Sequence, residues 1–305
     1  MSGEAPSGGR AGDRCGVCGG EIGPRWPARE MMLGLRTRFT YGACDTCGAL
    51  QLLDPPEDFR PFYGDGYYSF ADDLEAEFAE DAVRAAQGQA VRRLLAPEVP
   101  EAQAPPMPGV RRALLAMRPL GLQARARVLD VGCGAGRLPY LLHLAGFAGV
   151  EGADAFLAVA PAYARGPRIH KARLEEMEGG WDVIMLHHAF EHLGDPVGAL
   201  RAVAARLAAS GRVLLRLPLC DSYAWRRYRS DWVQLDAPRH LFLHTRASLA
   251  RAAAAAGLVV ERVVCDSYEF QFWGSEQYRL DIPLNAPGGW RHGAGAPLFT
   301  PAQLA

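Results

Sequence analysis

The pattern of apolar and polar positions changes character near Arg111. Beyond it, short apolar runs alternate with helix-like stretches. Arg127 to Val131 reads as a strand, Gly132 to Gly136 as a turn, and Leu138 to Ala145 as a helix closed by Gly146. Ala148-Gly-Val150 leads into a second strand, and a helix is expected over Ala155 to Ala164. The continuous apolar run from Val183 to Leu186 places a buried strand at 181–187. Asp195-Pro196 joins an N-cap to a proline at the first helical position, so a helix starts there and is expected to end at Ser210-Gly211. Arg212 to Leu217 is the next strand. Thr245 caps a helix over Arg246 to Ala256 that stops at Gly257, and Leu258 to Val264 reads as a further strand. Strands separated by helices pair in parallel, which predicts an α/β fold with a doubly wound, Rossmann-like sheet.

Before Arg111 the pattern differs. Arg36 to Tyr41 alternates as a strand does, an aromatic stretch runs from Phe59 to Phe70, and residues 72–95 have the composition of a helix. The segment APEVPEAQAPPMPG, 96–109, has prolines that remove donors and fix φ, so it predicts an extended spacer.

Composition narrows the function classes. With 49% hydrophobic and 22% charged residues, the chain has the means to build a packed core. Its net charge of -1 gives no general attraction to nucleic acid or anionic lipid. Apolar runs fall short of the roughly 18 residues a membrane span requires. The polar, Gly-rich start MSGEAPSGGRAGDR lacks an apolar signal core, so a cytoplasmic location is expected. In a reducing compartment, cysteines serve metals more often than disulfides.

Four of the seven cysteines form two matched knuckles, Cys15-Gly-Val-Cys18 and Cys44-Asp-Thr-Cys47, each followed by glycine. A C-x-x-C turn points two thiolates at one ion, and two such turns complete a closed four-sulfur site, which predicts structural zinc. Cys133, Cys220 and Cys265 are isolated and read as small buried residues. The expected organisation is a disordered tail (1–14), a zinc-ribbon-like module (15–53), a connector of helix and Pro-rich linker (54–110), a catalytic α/β domain (111–280) and a C-terminal extension (281–305). Thr300-Pro301 is a helix-start signal with only four residues after it, so the natural chain is expected to continue beyond Ala305.

The turn Asp130-Val-Gly132-Cys-Gly134-Ala-Gly136 fails the dinucleotide spacing G-x-G-x-x-G and lacks the G-K-[ST] of a phosphate loop. It suits a ligand without phosphate. Asp130 offers an acceptor to a cationic group, and Asp154, near the end of the second strand, a carboxylate for two ribose hydroxyls. An amino-acid cation, a ribose and an adenine together describe S-adenosylmethionine.

The stretch VLDVGCGAGRLPYLL resembles the first motif of class I S-adenosylmethionine-dependent methyltransferases. GVEGADAF resembles their second-strand motif, and residues 181–218 resemble their fourth strand, helix and fifth strand. The resemblance covers roughly residues 111–265, and implies the fold, the activity and the cofactor. It places Asp130, Gly132, Gly134, Gly136, Asp154, Ala155, Arg173, Leu174 and His187 at the cofactor. Arg173-Leu174 departs from the acid-then-hydrophobic pair of many relatives at the adenine, so that amino group is expected to be held differently. The N-terminal ribbon, YYSF (67–70) and APRHLFLHT (237–245) resemble a bacterial subgroup that joins a zinc module to this domain and modifies sugars or glycans. The expected acceptor is therefore a small molecule, a sugar, nucleotide-sugar or glycan-linked hydroxyl or carbon. The alternatives are an RNA methyltransferase with a zinc module and an inactive cofactor-binding protein. From Cys15 to Leu50, four arginines (25, 29, 36, 38) face three acids (21, 30, 45), which argues against RNA. Trp225, Tyr228, Trp232 and Phe242 read equally well as an acceptor pocket or as core.

HHAFEH, 187–192, follows the buried strand directly. If 188–192 were one helical turn, His188, Glu191 and His192 would share a face. Three readings stay open. A histidine there suits a general base, with Glu191 orienting it. Some relatives, including ubiquinone-pathway and small-RNA methyltransferases, place a similar Glu-His pair as metal ligands, with His240 or His244 available here as a further one. The pair also suits a polar loop.

Overall fold

The structure is a computed structural model and describes residues 13–63, 73–103, 105–107 and 109–286. YYSF and Thr300-Pro301 lie outside the described residues. In chain order the elements are β1 (Ile22–Arg29), β2 (Arg38–Cys44), β3 (Leu50–Leu52), α1 (Leu74–Glu77), α2 (Asp81–Leu95), α3 (Arg111–Met117), β4 (Val128–Val131), α4 (Arg137–Leu144) and β5 (Val150–Ala153). They continue with β6 (Arg168–His170), β7 (Trp181–His187), α5 (Pro196–Ala204), β8 (Leu207–Arg216), α6 (Tyr223–Tyr228), β9 (Phe242–Leu243), α7 (Arg246–Ala255) and α8 (Phe270–Arg279). These fall into two compact units. An α/β unit takes the described parts of Asp65–Phe190 and Arg201–Leu217, and a cysteine unit those of Met1–Gly64, Glu191–Leu200 and Pro218–Ala305.

In the α/β unit five strands run in the order β6-β5-β4-β7-β8, all parallel. This is the doubly wound arrangement the alternation predicts. Val128 pairs with Val150 on one side and Val183 on the other, so the strand order reverses at β4. Ligands of such sheets bind at the carboxyl ends of the strands beside that reversal. Val91 and Leu94 of α2, Leu114 and Met117 of α3, and Leu141 and Leu142 of α4 bury themselves against Val128, Val150 and Val183.

In the cysteine unit the antiparallel sheet runs β1-β2-β3-β9, with Tyr41 paired to Leu52 and Leu50 to Leu243. Its core joins Phe39, Tyr41 and Leu50 to Trp225, Trp232 and Leu243. Trp225, Tyr228, Trp232 and Phe242 are all buried, which fits core packing.

Five sequence expectations are corrected. No helix covers 155–164: Asp154 takes the Phe156 N–H, Pro161 has none to give, and the segment is held by turns and by the Tyr163 hydroxyl donating to the Ala135 carbonyl at 2.7 Å. The helix begun at Asp195 ends at Ala204 instead of Ser210-Gly211, which lies within β8. The β7–β8 register shifts between Trp181 and Val183, and a Cβ on Gly211 would stand 2.7 Å from the Trp181 carbonyl, so this glycine serves a close strand approach rather than a helix end. Leu258 to Val264 forms no strand, because no described strand pairs with it, and Val259 and Val264 are exposed. Tyr268 to Trp273 runs into α8, where Gln271, Gly274, Ser275 and Tyr278 are buried at helical spacing. Finally, Cys265 is exposed and not a small core residue. The helix expected over 72–95 is broken into α1 and α2.

Candidate active site and metal centres

The glycine turn follows β4 directly. Gly132, Gly134 and Gly136 all have left-handed backbone, at φ of 75°, 56° and 88°. A Cβ at Gly132 would meet the Ala189 Cβ at 2.6 Å, and one at Gly136 the Ile169 side chain at 2.4 Å. Packing as well as φ therefore demands glycine here. Asp154, beyond the end of β5, is buried and closes the turn from the other side. Its Oδ2 accepts the Gly134 N–H at 2.9 Å and its Oδ1 the Phe156 N–H at 2.8 Å. Asp130 is also buried. Burial first, and the charge of Asp154 second, push its carboxyl up to about 8. A buried acid held neutral in this way gains most from a cationic partner.

Ala155 and Phe156 follow Asp154 at the surface, Phe156 being 80% exposed, a prominent apolar side chain that sequence reasoning did not single out. Glu151, on β5, instead binds His170 through Oε2 at 2.6 Å. Arg173 precedes the short 3-10 turn Leu174–Glu176, its N–H donating to the Glu176 carboxylate, and Leu174 is buried. His187 ends β7, half-buried. His188 has φ of 51°, and its Nε2 lies 2.7 Å from the Arg216 guanidinium, which donates to it.

Of residues 188–192 only Phe190–His192 form a helical turn, so the condition for one shared face fails and His188 does not lie with Glu191 and His192. In the cysteine unit Glu191 and His192 meet His240 instead. Their ligand atoms lie within 4.8 Å of one another. Glu191 is fully buried, and its Oε1 is 3.8 Å from His240 Nε2. His192 Nδ1–H donates to the Arg239 carbonyl at 2.8 Å, and His240 Nδ1–H to the Gln234 carbonyl at 2.9 Å. A carbonyl only accepts, so each ring keeps its lone pair on Nε2. This is how metal-binding imidazoles are oriented. Burial, then the neighbouring His192, push His240 down to about 4, and burial pushes His244 down to about 4. Neutral imidazole is the ligand form.

Arg239 is buried under His240. It donates to both oxygens of Asp236, to Glu30 at 3.0 Å and to the Phe62 carbonyl at 2.6 Å. Burial opposes the charge on Asp236, but Arg239 holds that carboxyl below its usual range. Sequence reasoning passed over Glu30, Asp236 and Arg239 as site builders, since nothing local marks an ion pair spanning more than 200 residues.

The four knuckle sulfurs also lie within 4.8 Å of one another, with Cys15–Cys47 at 3.6 Å and Cys18–Cys44 at 3.5 Å. Sulfurs on one zinc at bonds of about 2.3 Å stand about 3.8 Å apart, so the donor set fits that ion. The two knuckles repeat each other. Gly19 and Gly48 take φ of 70° and 73° and return N–H bonds to the carbonyls of Cys15 and Cys44. Val17 and Thr46 point their N–H groups at the Cys15 and Cys44 sulfurs, both at 3.4 Å. Burial opposes the Cys44 thiolate, but the N–H donors of Cys47 and Thr46 hold it down to about 7. Burial pushes Cys15 up to about 11.

Residues 101–263, more than half of the chain, match the methyltransferase domain family. The chain therefore belongs to that family, the S-adenosylmethionine-dependent methyltransferases, whose sheet and glycine turn it carries. Comparison with curated proteins gives no match. Among solved structures, the chain is similar to the YcgJ protein of Bacillus subtilis, at 24% identity over 47% of this chain and 65% of that one, with a TM-score of 0.37. It thus spans just under two thirds of that protein. It is also similar to magnesium protoporphyrin IX methyltransferase of Synechocystis PCC 6803, solved with bound SAH, at 18% identity over 70% of this chain and 88% of that one, with a TM-score of 0.42. A third is the 1,6-didemethyltoxoflavin-N1-methyltransferase of Burkholderia thailandensis, at 18%, 72%, 84% and 0.37 in the same measures.

Proposed function

We propose that the chain moves the methyl group of S-adenosylmethionine to a small-molecule acceptor, an oxygen or carbon of a sugar, nucleotide-sugar or glycan-linked compound. The observation that carries the cofactor side is the Asp154 carboxylate closing a left-handed glycine turn at the carboxyl end of β4, with buried Asp130 beside it. In this reading Asp130, Gly132, Gly134 and Gly136 hold the methionine end, Asp154 takes the ribose hydroxyls, and Ala155, Arg173, Leu174 and His187 border the rest. The cofactor supplies an electrophilic methyl group. The chain must then orient the acceptor and take its proton. His188, Glu191 and His192 serve the acceptor. The sugar assignment rests on the likeness of the cysteine knuckles and of 237–245 to the glycan-modifying subgroup. Structural zinc on Cys15, Cys18, Cys44 and Cys47 completes the proposal.

One observation favours a second reading of the acceptor side. His192 and His240 both spend Nδ1–H on backbone carbonyls and keep Nε2 for Glu191's neighbourhood. That arrangement supports a divalent ion on Glu191, His192 and His240, with no such role for His188. A divalent ion at such a site would lower the pKa of an acceptor hydroxyl.

Calorimetry with S-adenosylmethionine, followed by methyl-acceptance screens on nucleotide-sugars and RNA, tests the main reading. No heat of binding would overturn it. Turnover of His188→Ala and His192→Ala, with and without chelator, then separates base from metal. Chelator-insensitive activity lost in both variants supports the base. Activity lost to chelator and restored by divalent ions, with the knuckles still zinc-loaded, supports the metal.

A further inference from the structure

The cysteine knuckles and the Glu191–His192–His240 triad belong to the same compact unit, and a short set of buried bonds runs from one to the other. β3 leaves the second knuckle three residues after Cys47. The Leu52 N–H donates to the Leu241 carbonyl, and the Leu241 N–H donates to the Glu191 carbonyl at 2.8 Å. The backbone of the acid is thus tied to β3 through a single residue. Tyr41, three residues before Cys44 on β2, is fully buried, and its hydroxyl donates to the His240 carbonyl at 2.7 Å. Glu30, at the end of β1 and fully buried, accepts the Leu33 and Leu35 N–H groups as well as Arg239. Arg239 in turn offers the carbonyl that orients His192. Beyond the triad, the Thr245 hydroxyl donates to the Cys47 carbonyl at 2.7 Å.

We infer that the four-cysteine module is a positioning element for the triad, with Tyr41, Glu30 and Arg239 as the positioning residues through which it sets the two imidazoles. The physical reason lies in the loop itself. Residues 236–241 form no regular element, so their carbonyls have no ladder to fix them. The Arg239 carbonyl that meets the His192 ring, and the backbone that carries His240, keep their place because Glu30 after β1, Tyr41 of β2 and Leu52 of β3 supply partners for that stretch. Those three strands hang on the two knuckles. A zinc described only as structural would then decide how Glu191, His192 and His240 meet. The inference rests on the methyltransferase reading only in taking the triad as the working site.

The test uses the full chain, zinc-loaded, with histidine labelled in its ring nitrogens. Nitrogen chemical shifts report which ring nitrogen of His192 and His240 carries the proton. Both are expected as Nδ1–H in the wild type. Tyr41→Phe removes one hydroxyl and keeps the ring; Glu30→Gln keeps the shape and removes the charge facing Arg239; Cys47→Ser disables the knuckle. In each, the two rings are expected to show mixed tautomers, while the heat of S-adenosylmethionine binding stays at the wild-type value. Cobalt added to the zinc-loaded protein gives a second readout. Its affinity at the nitrogen–oxygen site is expected to fall about tenfold in Glu30→Gln, the low end of the loss seen for a metal-binding histidine's own partner, because Glu30 acts through Arg239. Tyr41→Phe, which leaves the ion pair intact, guards against a Glu30→Gln protein that fails to fold. Ring signals unchanged in Tyr41→Phe and Cys47→Ser would overturn the inference. If the rings respond while the wild type takes up no cobalt at the triad, positioning stands and the divalent-ion reading fails.

Discussion

Burial first, and the nearby Asp154 second, hold the Asp130 carboxyl up to about 8. Its folded state thus keeps the proton more tightly than the unfolded chain does. Its contribution to stability is complete below the ordinary value of 3.8 and is lost as pH rises through about 8. A cationic ligand favours the ionised form, so S-adenosylmethionine affinity is expected to rise as pH climbs toward about 8, and Asp130→Asn to bind weakly without that rise. Calorimetry across this range checks it; a flat wild-type profile would mean that Asp130 does not meet the cation. In the proposed reading Asp154 has a second task beside the ribose, since each of its oxygens accepts a backbone N–H. Asp154→Ala is expected to cost about 1.5–3 kcal/mol of cofactor binding, roughly ten- to a hundredfold in affinity. Equal affinity in the variant would pass the ribose role to Glu151. The turn glycines were legible in sequence; that Ala189 and Ile169 occupy the space of the missing Cβ atoms at Gly132 and Gly136 was not.

At the scale of elements, the knuckles and the parallel sheet rest on different supports. β1 to β3 bury Phe39, Tyr41 and Leu50 beside the pair of turns proposed to hold zinc, whereas β4, β5 and β7 are covered by α2, α3 and α4. Cys44→Ser is expected to lose zinc and the amide-exchange protection of β1 to β3, while S-adenosylmethionine still binds. Metal analysis, hydrogen exchange and calorimetry on the one variant check all three; a folded, zinc-free wild type would remove the premise. Elements were read best where one signal dominated. β7 was placed at 181–187 because a run buried on both faces has no other reading, and α7 because Thr245 and Gly257 punctuate it. They were misread where a local signal served a tertiary purpose. Gly211 eases two strands together, and the valines of 258–264 have strand chemistry without a partner strand among the described residues.

For the whole molecule, the balance of charge decides which acceptors are attracted. With a net charge of -1 and a near-neutral cysteine module, the chain has no general field to gather a polyanion such as RNA. Titration with structured RNA at about 0.15 M salt, where surface charges are screened beyond about 8 Å, is expected to show no binding by fluorescence anisotropy. Saturable RNA binding that weakens steeply with salt would revive the RNA alternative.

Short-range chemistry along the chain determined a good deal unaided. Each C-x-x-C-Gly knuckle, the glycine turn after an apolar strand and each acid at a strand end is written within a few residues, so each is read from the sequence alone. The strand alternation that specifies a parallel sheet is likewise local. Only the tertiary structure decided what HHAFEH is joined to. Glu191 and His192 meet His240 across almost fifty positions, His188 turns aside to Arg216, the Arg239 carbonyl takes the His192 ring N–H, and Glu30 and Tyr41 bond the 239–240 stretch from far upstream. Residues far apart in the chain owe such meetings to the packing of β1, β2, β3 and β9 into one sheet, a pairing that no periodicity encodes.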